Sequence, residues 1–416
     1  MTSLLDRPAA QFGSALNLVC RECGTTYELG PSHVCEMCFG PLEVGYDREL
    51  QKRVTREVIE SGPATMWRYG GLLPVAPIVD LNVGMTRLVP APHLARELGM
   101  RSLWVKDDSG NPTHSFKDRV VSVAASAAKA LGFEVLACAS TGNLANAVAA
   151  AAANSGMRSV VLIPHDLEPG KVVTTAVYGG TLVAVRGSYD DVNRLCAEVA
   201  GEVPWAFVNV NVRPFYAEGS KTVGYEIAEQ LGWRLPEQVV VPIASGSLLT
   251  KVDKAWRELG SLGLVDETPY RVFGAQSSGC APVASAFRAG HEVVEPVRPS
   301  GIAKSLNIGN PADGPYALDV VRRTGGSIAD VDDAEIVDGI RLLARTTGIF
   351  GETAGGVTIG TLRKLLASGE LDPGAETVVL NTGDGLKTLD AVESVSRPTA
   401  TIAPTLTAFR EAGLFE

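Results

Sequence analysis

The sequence predicts an α/β protein built on open, mostly parallel β-sheets, and two patterns in its 416 residues carry that prediction. From Arg101 onward short β-type runs alternate with longer helical stretches, the arrangement of successive βαβ units. Glycine-rich turns then fall directly after several of these runs, where ligands sit at a doubly wound sheet. The second pattern favours open sheets over a TIM barrel, the other architecture that such alternation allows.

Taken in order, the chain opens with MTSLLDRPAAQFGSALN, which has neither the basic start nor the apolar core of a signal peptide. Residues 18–46, LVCRECGTTYELGPSHVCEMCFGPLEVGY, hold two Cys-x-x-Cys knuckles, Cys20 with Cys23 and Cys35 with Cys38, and Gly24 and Gly40 let the chain turn there. Four thiolates presented by two such turns make a closed tetrahedral site of the kind that binds structural Zn²⁺. A closed site has no open position for water, so residues 1–46 are read as a zinc ribbon without a catalytic role. Glu22, Glu28, Glu36 and Glu43 against Arg21 alone argue against nucleic acid as its partner.

Residues 47–100 read as a connecting arm, with one helix over Glu49 to Glu60 followed by the punctuating GGLLPVAP. Strands are predicted at SLWVKDD, EVLACAS, SVVLIP, TLVAVRG, QVVVPIA, RVFGAQ and TVVLN, and helices over Ser115 to Leu131 and Leu144 to Ser155. The tail after Ser396 reads as an extended arm. Cys138, Cys196 and Cys280 stand alone in apolar contexts, as buried free thiols do.

Composition narrows the function classes. With 20 % charged and 45 % hydrophobic residues the chain is an ordinary globular protein, and its net charge of −10 opposes polyanionic partners such as nucleic acid or an anionic membrane. The apolar run Ala145 to Ala153 is far shorter than the roughly 20 residues of a membrane span. The expectation is a cytosolic protein acting on a small molecule.

The chemistry is concentrated in four turns. In PTHSFKDRVV, Lys117 opens a predicted helix that Ser115 can cap and whose first turn Asp118 suits. A lysine at that positive end, partly buried, is biased toward the neutral amine. Such an amine can form a Schiff base with an aldehyde such as pyridoxal phosphate; the plainer reading is a surface lysine beside a cap. ASTGN places Ser140, Thr141, Gly142 and Asn143 between a strand and an alanine-rich helix, where backbone N–H groups can meet an anion. SGSLLTK, with Ser245, Gly246, Ser247 and Leu248, follows a strand in the same way and can cradle a phosphate. In NTGDGLK, Thr382 offers a neutral hydroxyl that would leave a pyridine nitrogen largely unprotonated. Each turn alone could be an ordinary capped turn, but together they are the parts of a pyridoxal phosphate site.

HSFKDR, ASTGNLANAVAA, NVRPFYAEGSKTVGYE, SGSLLTK, IGNPADGPYALDVVRRTGG, FGETAGG and NTGDGLKTLD together resemble the threonine synthases, over about Cys20 to Asp390. The likeness is greatest to members with an N-terminal zinc ribbon, within the fold-type II (tryptophan synthase β-like) pyridoxal phosphate enzymes. It implies two open-sheet domains with the cofactor between them: a large one formed by residues 101–133 and 216–395, a small one inserted at 134–215, and an arm at 396–416. It further implies a homodimer. Lys117 would hold the cofactor and then move protons at the substrate Cα and Cβ, and Asn143 would bind the cofactor's phenolic oxygen. Ser140, Thr141 and Gly142 would take the substrate carboxylate, Ser245 to Leu248 the cofactor phosphate, Thr382 the pyridine nitrogen, and Glu352 would lie beside the ring. SGSLL departs from the loops richer in Gly and Asn that many relatives carry.

The implied reaction converts O-phospho-L-homoserine and water to L-threonine and phosphate. A substrate phosphate requires cationic or amide partners, and Asn209, Arg213 and Lys221 are the candidates, with solvated charge or pairing to Glu218 as the alternative for the two cations. Another fold-type II lyase, such as a threonine dehydratase or a cysteate synthase, would share Lys117 and the loops but differ in the phosphate pocket. A non-catalytic paralogue would dispense with Lys117.

Overall fold

The computed structural model describes residues 11–140 and 142–413. The N-terminal segment forms a three-stranded antiparallel sheet in the order β2-β1-β3, from β1 (Ala15–Cys20), β2 (Thr26–Tyr27) and β3 (Leu42–Tyr46). Its two knuckles close by backbone bonds, Gly24 N–H to the Cys20 carbonyl at 3.0 Å and Phe39 N–H to the Cys35 carbonyl at 2.9 Å.

Two further sheets form the body. The strands are β4 (Arg87–Pro90), β5 (Ser102–Asp107), β6 (Val135–Ala139), β7 (Arg158–Pro164), β8 (Thr181–Val185), β9 (Ala206–Phe207), β10 (Gln238–Pro242), β11 (Arg271–Ser277), β12 (Ile328–Val331) and β13 (Glu376–Asn381). The smaller sheet, β8-β7-β6-β9, is parallel throughout. The larger runs β12-β11-β10-β13-β5-β4 and is parallel except for β4, which lies antiparallel to β5 with Val89 opposite Val105. Strands covered on both faces read as unbroken apolar runs. Val239, Val240 and Val241 of β10 are wholly buried, each worth about 1.5–3 kcal/mol of burial. The helices Asp333–Thr347 and Thr353–Ala367 approach so closely that a Cβ at Gly356 would lie 2.4 Å from the Ile336 carbonyl oxygen.

The expected connecting arm is in part sheet. Residues 87–90 form the outer strand of the large sheet, and the helix Pro92–Leu98 follows. Pro90 donates no backbone hydrogen bond, which an edge position tolerates. The single helix expected over Glu49 to Glu60 is two short ones, Arg48–Gln51 and Arg56–Glu60. Thr55 restarts the helix by accepting from Val58 N–H at 3.3 Å. Within the tail expected to be extended, Leu406–Glu411 is helical. No helix among the described residues is long and apolar enough to cross a membrane.

Candidate active site

The four chemistry-bearing turns lie at the carboxyl ends of β5, β6, β10 and β13, and residues from all of them line one cleft. Lys117 is the first residue of the helix Lys117–Ala130. The expected Ser115 cap is not made: the boundary residue is Phe116 and the buried Ser115 hydroxyl has no hydrogen-bond partner. Asp118 holds the turn instead, accepting from the Thr113 N–H at 2.7 Å and the Thr113 hydroxyl at 2.8 Å. Phe116 N–H donates to the Thr382 carbonyl at 3.0 Å, tying this loop to the end of β13.

Lys117 Nζ donates to the Tyr216 hydroxyl at 3.2 Å. Among the described residues no carboxylate lies within ion-pair distance of it. Loss of hydration in the cleft lowers the Lys117 pKa to about 8, against the opposing pull of Glu352. A substantial share of neutral amine near physiological pH is what a lysine nucleophile needs.

Asn143 opens the helix Asn143–Ser155. Its Nδ2 donates to both carboxylate oxygens of Glu352, at 2.9 and 3.0 Å, and its Oδ1 accepts from Lys387 Nζ at 3.1 Å. Both ends of the amide are therefore held. Burial also lowers Lys387 to about 8, with Glu352 and Asp118 opposing.

The loop after β10 enters the helix Ser247–Ser261 through Gly246, whose φ of +94° suits glycine. A Cβ there would come within 2.6 Å of the Asp313 carbonyl oxygen. Ser245, Gly246, Ser247 and Leu248 all line the cleft, presenting the amide end of a 15-residue helix to it. A phosphate is the group such an end accommodates. Thr382 lines the cleft near Glu352 and Lys117.

The expected substrate residues divide. Ser140, Asn209 and Arg213 line the cleft. The Ser140 hydroxyl accepts from the backbone N–H groups of Gly142 and Ala145, at 2.9 and 2.8 Å, so the Gly142 amide is engaged within its own loop. Thr141 lies outside the described residues. Asn209 donates to Asn193 Oδ1 at 2.9 Å and its own buried Oδ1 has no partner. Arg213 reaches Asp313 at 2.7 Å.

Lys221 is not in the cleft. It is fully buried and paired with Glu218 at 2.8 Å and Glu258 at 3.0 Å, and it donates to the Leu72 carbonyl at 2.9 Å. An ammonium so occupied is a structural ion, which corrects the expectation of a phosphate ligand.

At the ribbon, one sulfur from each of Cys20, Cys23, Cys35 and Cys38 lies within 4.8 Å of the others. Four soft donors at that spacing fit a tetrahedral Zn²⁺.

Residues 79–383 match the family of pyridoxal-phosphate dependent enzymes. Threonine synthase of Methanocaldococcus jannaschii is 38 % identical over 89 % of this chain and 93 % of its own length. That of Methanosarcina acetivorans is 34 % identical over 95 % and 98 %. The chain belongs to the threonine synthases, within the pyridoxal phosphate-dependent enzymes. Diaminopropionate ammonia lyase from Escherichia coli shares the fold at a TM-score of 0.65 with 18 % identity, over 82 % of this chain and 92 % of that one. The architecture is the fold-type II one, with the four-cysteine ribbon added at the N-terminus.

A threonine synthase cleft contains more than the sequence motifs disclosed. Tyr189, Asn193, Ser305, Asn310 and Asp313 also line it, Tyr216 bonds the lysine, and Lys387 holds Asn143. Tyr216 and Asp313 stood inside quoted motifs, FYAEG and NPADG, but nothing local distinguishes a cleft tyrosine from a packed one. The residues present fit the coenzyme: an under-partnered amine, a helix N-terminus open to an anion, a neutral threonine hydroxyl and an oriented amide converge on one space.

Proposed function

We propose that this cleft converts O-phospho-L-homoserine and water to L-threonine and phosphate, a carbon–oxygen lyase reaction. The carrying observation is Lys117, an amine that donates to a phenol and has no carboxylate within ion-pair distance among the described residues, set where the ends of β6, β10 and β13 meet. When bound, pyridoxal phosphate supplies the electron sink that makes proton loss from two adjacent carbons feasible.

The chain's own residues do the rest. The backbone amides from Ser245 to Leu248 seat the coenzyme phosphate, and the Thr382 hydroxyl faces the pyridine nitrogen without ionising it. Asn143, oriented by Glu352 and Lys387, presents its amide to the phenolic oxygen, with Glu352 beside the ring. Lys117 Nζ takes the proton from Cα and returns protons during turnover. Ser140 and Gly142 receive the substrate carboxylate, and the family likeness adds Thr141 to them. Arg213 takes the substrate phosphate, a guanidinium being an apt donor for that anion, with Asn209 beside it giving up its Asn193 partner to donate its amide N–H as well. The walls on either side keep water out until the phosphate has left.

Cys20, Cys23, Cys35 and Cys38 hold a structural Zn²⁺, supported by their mutual spacing. Stoichiometric zinc in purified protein, and unfolding of the ribbon by chelator without a new activity, are the expected results. The family likeness also favours a homodimer in the cytosol, to be measured by light scattering.

Product analysis with phosphohomoserine, phosphoserine and threonine separates this reading from a cysteate synthase or a dehydratase. Threonine and phosphate in equal amounts from phosphohomoserine alone are expected. Turnover of either other compound in preference to it would refute the assignment. Borohydride treatment of the coenzyme-loaded protein should label the peptide containing Lys117.

A further inference from the structure

The ribbon is not a detached appendage: its first knuckle reaches the wall of the cleft. Arg21 lies between Cys20 and Cys23, and its guanidinium stacks over the Tyr316 ring at 3.5 Å from the centroid. The neighbouring Glu22 accepts from the Tyr316 hydroxyl, fixing the knuckle against the segment that carries Asp313. From this seat Arg21 reaches Asp313 Oδ1 at 3.9 Å, while Arg213 holds Asp313 Oδ2 at 2.7 Å. Asp313 is buried and lies in the cleft wall beside Arg213.

A carboxylate bonded to an arginine cancels its charge and competes with any incoming anion for the same N–H donors. A second cation on the far oxygen of that carboxylate weakens both effects. Arg21 is available for this because its other partner, Glu43 at 3.3 Å, is already met by Lys251 at 2.8 Å and Lys254 at 3.2 Å.

We infer that Arg21 of the ribbon is a positioning residue for the substrate-phosphate seat: it draws on Asp313 so that the Arg213 guanidinium is less neutralised and keeps N–H donors for the anion. This rests on Arg213 being the phosphate ligand of the reading above. The ribbon then tunes the affinity of a site whose substrate it never touches.

The probe is inorganic phosphate, titrated calorimetrically into the full-length holoenzyme, beside steady-state kinetics. Arg21→Gln should weaken phosphate and raise KM by about 3- to 10-fold, the scale of one partly exposed ion pair, with kcat changed by less than about twofold. Arg21→Lys should recover most of the loss. In an Asp313→Asn background Arg21→Gln should have no further effect. Unchanged phosphate affinity in Arg21→Gln, the same loss with Asn at position 313, or a parallel fall in kcat and Tm from a merely structural role would each overturn the inference. Arg213→Met separates the two levels. If it weakens phosphate and Arg21→Gln does not, the inference alone falls; if it leaves phosphate binding unchanged, the seat itself falls.

Discussion

Lys117 and Lys221 are both lysines at the first position of a helix, and their surroundings could hardly differ more. Lys117 lines the cleft, with the Tyr216 hydroxyl as its hydrogen-bond partner and the Phe116 ring centroid 4.5 Å from its Nζ. Lys221 is wholly buried, with Glu218, Glu258, the Tyr46 hydroxyl and the Leu72 carbonyl around it. Desolvation acts on the first with little compensation, which favours the neutral nucleophilic form. The second is clamped between two carboxylates, at 2.8 and 3.0 Å, and the result is a fastened ion. Reactivity in this molecule comes from withholding a counter-charge, and structure comes from supplying one.

The comparison can be broken by exchanging what each lysine depends on. The largest effect belongs to Lys117→Met, which should abolish threonine formation and the visible absorbance of bound coenzyme, while thermal melting of the coenzyme-free protein at neutral pH does not fall. The sign follows from the depressed pKa. Below about pH 8 the folded protein carries an under-solvated ammonium, and that handicap disappears as pH rises from about 8 toward the ordinary value of 10.5. A lower melting temperature for this variant would mean that Lys117 is a structural ion after all.

Next in size is Lys221→Met. Leaving Glu218 and Glu258 without their shared cation should cost about 3–5 kcal/mol in denaturant unfolding. KM for substrate, measured below the melting transition, should stay near that of the parent protein. A large rise in KM with stability intact would restore Lys221 as a substrate ligand.

The smallest effect belongs to Glu352→Gln. Glu352 raises the Lys117 pKa against the dominant desolvation, so its removal should move the half-maximal pH for borohydride-trapped coenzyme attachment below about 8. A move to higher pH would show that Glu352 does not act on Lys117 through its charge.

Much of this was readable in the chain. Cys20, Cys23, Cys35 and Cys38 sit in two short turns, so local spacing alone brings each pair together. The strand-to-turn-to-helix junctions at Ser140, Ser245 and Thr382 were visible because β-branched runs break at small residues. The strand at Arg87–Pro90 escaped notice: it is short, ends in proline and follows a glycine- and proline-rich stretch, and only its pairing with β5 makes it a strand. The Ser115 cap failed for a related reason. Thr113 and Asp118 close that turn between themselves, a competition between side chains that residue type does not resolve.

By itself, then, the sequence determined the kind of chemistry: an amine at a helix start, two anion-ready turns and a hydroxyl-bearing turn after strands, and a four-thiolate ribbon. Those features are local, written in residue type and spacing over a few positions. Only the tertiary structure decided which charges serve the cleft. Arg213 stays on its wall, Lys221 is drawn inward by Glu218 and Glu258, and Arg21 crosses from the ribbon to Asp313, nearly 300 residues away along the chain. The physical reason is that the energy of a charge depends on its solvation and on every ion within a few ångströms, and those neighbours are assembled by folding.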